Sequence, residues 1–288
     1  MASGADAEAR NGGEQHAVGH GFTEGPVVLP GGSVLFTSMK GAIHSLSEGA
    51  VRAVAETGNG PTGLALGSDG QVYVAACAGL WGAPAEAPAG IHKLHDDHTH
   101  ALVTDGLTAP NDLAFGPDGR LYITDPIDEA GLSKPVPGRL FAYDLEQERL
   151  ELLHEGGHFT NGLAFDPAGK SLYVSETFDG RIVRYPWSSN GLGEPVVHCE
   201  TVDGTPDGMA LDVDGNIWQA VNGSDSIQVF DPSGKLVRRL PTGEGSYPSN
   251  CCFGGPDRST LFVTTAKSGG IASFDVGVQG LALFPFRD

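Results

Sequence analysis

The hydrophobic positions of this chain fall in short runs broken by clusters of Gly, Asp, Pro and Asn, and one pairing of such runs keeps returning. It reads GPVVLPGGSVLFTS from Gly25, GLALGSDGQVYVAA from Gly63, DLAFGPDGRLYITD from Asp112, GLAFDPAGKSLYVSE from Gly162, GMALDVDGNIWQAV from Gly208, and, as a variant, CCFGGPDRSTLFVTTA from Cys251. In each copy an apolar run enters a tight turn and a run rich in aromatic and β-branched residues leaves it, which predicts a β-hairpin. Successive copies start 38, 49, 50, 46 and 43 residues apart, intervals suited to a blade of four short strands. The pattern predicts an all-β fold, a six-bladed β-propeller with four-stranded blades around a central channel.

Strand-like segments between the copies supply the outer strands: AIHSLS at 42–47, GIHKLH at 90–95, RLFAYDL at 139–145, RIVRYPW at 181–187 and SIQVFD at 226–231. No stretch carries a helical period, so a βαβ fold is a weak competitor. Residues 1–15, polar and small, read as a flexible tail, and 16–288 as a single propeller domain. Closure of the ring calls for a strand near 16–21 to pair with the C-terminal segment, because that removes exposed edges. The runs at 84–90 and 131–138 read as long loops within blades that rim a binding face.

Composition narrows the partners. Acidic residues outnumber basic ones 36 to 17, for a formal charge of -19, and no basic cluster is present to neutralise phosphates, which argues against nucleic acid. No apolar run approaches a membrane span and the N-terminus lacks a signal-peptide core, which points to the cytoplasm. Cys77, Cys199, Cys251 and Cys252 have no metal-finger spacing and read as small buried apolar residues. Oligomeric state is not readable.

The residue in front of each copy occupies an equivalent place, and in order these are Glu24, Thr62, Asn111, Asn161 and Asp207, with Ser249 or Asn250 in the sixth. In a propeller they form a ring at one mouth of the channel. Asn and Asp beside Gly are common turn formers, so each is weak by itself. In register, and with a Glu where turn chemistry does not favour one, the ring reads as a ligand set for a hard divalent cation. Calcium comes first, magnesium or manganese next; zinc ranks last, because no His or Cys cluster has its spacing. Asp112 either faces the mouth or bonds its own hairpin backbone, and His158 and His44 are candidates for the channel region. Trp81, Phe159, Phe178 and Tyr247 suit either an apolar rim or core packing.

FTEGPVV at 22–28, PNDLAFGPDGRLYITD at 110–125, TNGLAFDPAGKSLYVSET at 160–177, PDGMALDVDGNIW at 206–218 and SNCCFGGPDRSTLFVT at 249–264 resemble the family of regucalcin (senescence marker protein), gluconolactonase and luciferin-regenerating enzyme. Squid-type diisopropylfluorophosphatase is a more distant relative. The resemblance implies a divalent metal held by Glu24, Asn161 and Asp207, with Asn111 either reaching the metal or binding substrate beside it. It implies hydrolysis of a small lactone or ester, with Asp207 as general base, nucleophile or ligand only, and Asn111, Asp112 and His158 as candidate substrate contacts. A phosphotriester or fluorophosphate hydrolase and a non-hydrolytic propeller, whether an isomerase, a cyclase or a metal-binding scaffold, remain the alternatives. Family members that act on sugar lactones often carry an Arg two residues before the Asn matched by Asn111. Ala109 stands there, which favours a less polar lactone or ester.

Overall fold

Runs that are apolar at consecutive positions, such as Leu121-Tyr122-Ile123, suit strands buried on both faces, and the computed structural model arranges them so. It describes residues 13–127 and 135–286. Six antiparallel sheets run from the channel outward, five of them in chain order and the sixth completed on its outer edge by the first strand of the chain. Their innermost strands are Thr23–Val28, Pro61–Leu66, Leu113–Phe115, Thr160–Phe165, Thr205–Leu211 and Pro248–Gly254, which define blades 1 to 6. Blade 4 adds a short fifth strand, Gly191–Leu192, to the edge of Arg181–Ser188. The single helical turn among the described residues is the 3-10 turn Leu80–Gly82.

Neighbouring blades are cemented by buried clusters, one at each of the six interfaces. In blade 3 Leu121 and Ile123 pack toward blade 2 while Tyr122 packs toward blade 4. Adjacent Cys251 and Cys252 likewise split, toward blade 5 and toward blade 1. All four cysteines are buried free thiols. Burial pushes Cys77 and Cys199 up to about 12, so they act as packing groups. Each fully buried Leu or Ile contributes about 2 kcal/mol, so the ring is held by its blade-to-blade seams.

The ring closes between blades 6 and 1. Glu14–Ala17 forms the outermost strand of blade 6, pairing with Gly270–Asp275, so the closing strand begins two residues ahead of the expected position. Residues 1–12 and 131–134 lie outside the described residues. At the opposite end of the chain, 277–286 crosses the far face. Gly280 bridges to Asp212, Leu281 bonds Leu211, and Phe284 reaches Phe165 with ring centroids 6.1 Å apart.

The innermost strands converge tightly. A Cβ on Gly162 would stand 2.5 Å from the Asp207 carbonyl oxygen and 2.6 Å from the Gly208 Cα, both backbone atoms of the next blade. Gly162→Ala is expected to lower stability by about 3 kcal/mol, because backbone cannot yield as a side chain would. Urea unfolding of the two proteins measures this; an unchanged midpoint would refute the close approach.

Candidate functional site

The strand register settles which residues are equivalent. Leu113 pairs with Ile123 in blade 3 as Cys251 pairs with Val263 in blade 6, which aligns Asn111 with Ser249 and Asp112 with Asn250. The upper ring is therefore Glu24, Thr62, Asn111, Asn161, Asp207 and Ser249. The next position inward is Gly25, Gly63, Gly162 and Gly208 in four blades, and Asp112 and Asn250 in the opposed blades 3 and 6. These two side chains occupy the space the glycines leave, and they meet across the channel, with Asn250 Nδ2 and Asp112 Oδ2 3.5 Å apart.

Asp112 thus does both things the sequence allowed. Its Oδ1 accepts the N–H of Leu113 at 2.9 Å, and its other oxygen faces the channel. Asn250 and Asp112 form a polar layer. Beyond that layer, away from Glu24, Asn161 and Asp207, the channel opens into an apolar cavity of about 460 Å3 that ends under the C-terminal segment.

Glu24 is 5 % exposed and Asp207 6 %. Burial, reinforced by the charges of Asp207 and Asp112, holds the Glu24 carboxyl well above its ordinary range. Burial also raises Asp207 to about 7, offset by side-chain hydrogen bonds from Asn161 and Asn222 and reinforced by the Asp112 charge. Asp112 rises to about 6, mainly through burial. Three buried carboxylates thus share one mouth, and the hydrogen bonds that moderate them come from amides and backbone rather than from Lys or Arg.

The supports are fixed. Asn161 donates through Nδ2 to Thr177 Oγ1 at 3.0 Å, and Thr177 in turn donates to the Pro206 carbonyl at 2.8 Å. Gln219, wholly buried, donates to the carbonyls of Asp207 and Gly208 at 3.0 Å and accepts from Ser175, bracing the strand that carries Asp207. Asn222 and Gln219 were not among the residues expected from sequence, and Asn250 was expected only as an alternative to Ser249 for the sixth ring position. The sixth copy had lost its Gly, and the other two sit outside the repeated position.

The remaining candidates divide. Asn111 keeps its place in the ring, half-exposed, with its carbonyl accepting the Gly63 N–H and its own N–H on Thr124. His158 stands at the rim, its Nδ1 2.9 Å from Asp179 Oδ1 and its backbone N–H on the other oxygen. His44 is not in the channel; it lies buried in blade 1, stacked on Phe36 and edge-on to His20. Ala109 is 0 % exposed, in an apolar cluster with Cys77 and Ile127, and donates its N–H to Asp125 at 2.7 Å.

A hard divalent cation fits this donor chemistry: oxygen ligands only, an excess of buried negative charge, and amides held by second partners. Among the described residues no three His, Cys, Asp and Glu side chains form a ligating group by themselves.

A family model described as the SMP-30/Gluconolactonase/LRE-like region matches residues 22–267. The chain belongs to this family. It is 29% identical over 232 residues to a gluconolactonase from Zymomonas mobilis, covering 73% of this chain and 62% of that protein. It is 31% identical over 189 residues to pentonolactonase XacC of Haloferax volcanii, covering 63% of this chain and 62% of that one. The matches thus span about three-fifths of the length of those relatives. The solved structure of a gluconolactonase from Xanthomonas campestris superposes with a TM-score of 0.77 at 24% identity, over 96% of this chain and 93% of that one, a likeness of fold.

The carboxylate cluster makes a pH prediction for metal-free protein. Asp112 and Asp207 have raised folded values of about 6 and about 7 against an ordinary 3.8, so the folded state binds their protons more tightly than the unfolded one. Their contribution is fully present below about 3.8 and is lost as pH rises through about 7. In EDTA, urea midpoints are expected to fall between pH 5 and pH 8, and Asp112→Asn to flatten that fall; a midpoint that rises over the interval contradicts the cluster.

Proposed function

We propose that this chain is a divalent-metal-dependent hydrolase that opens a small lactone, with calcium the best-fitting ion. The observation that carries the reading is the buried, cation-poor set of Glu24, Asn161 and Asp207 at the mouth of the channel. These residues would hold the ion, with Asn111 as a fourth donor from the same ring. When bound, it would polarise the lactone carbonyl and stabilise charge developing on that oxygen.

The chain's own groups supply the rest. Asp207 takes a proton from the attacking water at its carboxylate, which Asn161 and Asn222 keep oriented. Asp112 and Asn250 close the channel below, so water and substrate approach from the mouth alone. His158 donates Nδ1–H to Asp179, which leaves its Nε2 as the acceptor at the rim for the hydroxyl of the hydroxy acid that ring opening releases. The lactonase names of relatives over most of the propeller support the same reaction class.

Hydrolysis of a lactone panel, followed by proton release, is expected to vanish in EDTA and return on adding calcium. Asp207→Asn and Glu24→Gln are each expected to lower kcat/KM by about 10³-fold with the fold intact by circular dichroism. Full turnover in EDTA, or in both variants, refutes the proposal.

A further inference from the structure

Two residues before each ring position the chain turns onto the mouth, and one backbone bond repeats there. Phe22, Gly60, Phe159 and Tyr247 each accept, through the carbonyl, an N–H from the end of the second strand of their own blade, from Met39, Cys77, Thr177 and Ala266 at 2.8 to 3.0 Å. In blade 3 the donor position is Pro126, which has no N–H, and Asp125 instead grips the N–H groups of Thr108 and Ala109. The six residues standing above the ligand ring are therefore Phe22, Gly60, Ala109, Phe159, Thr205 and Tyr247. Three are aromatic and none is charged.

On the side of blades 2 to 4 this collar is continuous with an apolar wall. Ala109 and Phe159 share a cluster with Cys77 and Ile127, and Met39, Leu80, Ala83 and Val136 pack against it. Gly60 adds no side chain, because a Cβ there would stand 2.7 Å from Cys77 Sγ. Outward, Phe159 meets Trp81 at 5.8 Å and Phe178 at 4.8 Å between ring centroids. Trp81 is 44 % and Phe178 61 % exposed, which places two large apolar surfaces in water beside the mouth. Trp81 and Phe159 both hold positive φ, 51° and 62°, a conformation uncommon for bulky residues and kept where the surroundings require it. Among the described residues Arg139 is engaged by Asp125 at 2.7 Å, Arg181 by Glu176 and, at 3.5 Å, by Asp179, and Lys267 lies over the Tyr247 ring at 5.0 Å. A polyhydroxylated sugar would face this wall with few partners for its hydroxyls.

We infer that the site takes a lactone with an aryl or bulky aliphatic substituent, whose ring carbonyl reaches the Glu24, Asn161 and Asp207 mouth while the substituent lies against Trp81, Phe159 and Phe178. This rests on the hydrolase reading above for the reaction: water adds across the acyl C–O bond and one hydroxy acid leaves. The recognition itself is carried by the aromatic wall.

Two measurements separate the claims. With calcium-loaded protein, kcat/KM for δ-phenyl-δ-valerolactone is expected to exceed that for glucono-δ-lactone, and the double variant Trp81→Ala, Phe178→Ser to cut the ratio about tenfold. These exposed residues are chosen because Phe159 is packed into the cluster. Separately, calorimetry with the phenyl-substituted δ-lactam, which resists hydrolysis, is expected to show binding that the double variant weakens about tenfold. A preference for gluconolactone, or a ratio unchanged in the double variant, overturns the inference and leaves the hydrolase reading standing. Lactam binding lost in the variant, with neither lactone hydrolysed, supports the wall and refutes the hydrolase. Conversion from dimer to monomer in the double variant, without any change in lactam affinity, shows the wall to be a self-association face and overturns the inference.

Discussion

Six innermost strands approach the channel so closely that the position after the ring of Glu24, Asn161 and Asp207 has room for a side chain in only two blades. Where Gly25, Gly63, Gly162 and Gly208 stand, the backbone of the next blade fills the space a Cβ would need, or the side chain of Asp112 or Asn250 does. Everything at the mouth follows from that crowding. It lets one pair of opposed side chains close the channel, and it packs Glu24, Asp207 and Asp112 into a volume from which water is largely excluded. Desolvation and mutual repulsion then leave the three carboxylates in want of a positive charge, which no Lys or Arg supplies.

The cost of such a cluster is carried by the rest of the propeller. The blade seams hold the strands at fixed distance, Gln219 ties the Asp207 strand to blade 4 through Ser175, and Thr177 fixes the Asn161 amide against blade 5. Closure by Glu14–Ala17 at the edge of blade 6 completes the ring on which this depends. A rigid frame with an electrostatically unfavourable mouth is the arrangement expected where a site is prepared in advance for its ion.

The repeated hairpins made the fold readable from sequence, because each strand buries both faces and each turn needs its own Gly or Asp. Glu24, Asn161 and Asp207 were readable as neighbours at one mouth for the same reason, since register across repeats compares like with like. Asn250 was not: CCFGG breaks the repeat, and only the pairing of Cys251 with Val263 shows that Ser249 belongs to the ring and Asn250 to the layer beneath. Asn222 and Gln219 come from the second strand of blade 5, where no repeat pattern distinguishes a support from a core residue. The meaning of Ala109 also changed. Sequence shows a missing cationic side chain, whereas the fold shows a position sealed into an apolar collar with Phe159.

Crystals soaked in manganese and measured for anomalous scattering test directly whether the asymmetric ring is a cation site. One peak per chain, bounded by Glu24, Asn161 and Asp207 above the Asp112 and Asn250 layer, is the predicted result; a map with no peak there, or with the ion bound elsewhere in the channel, contradicts it.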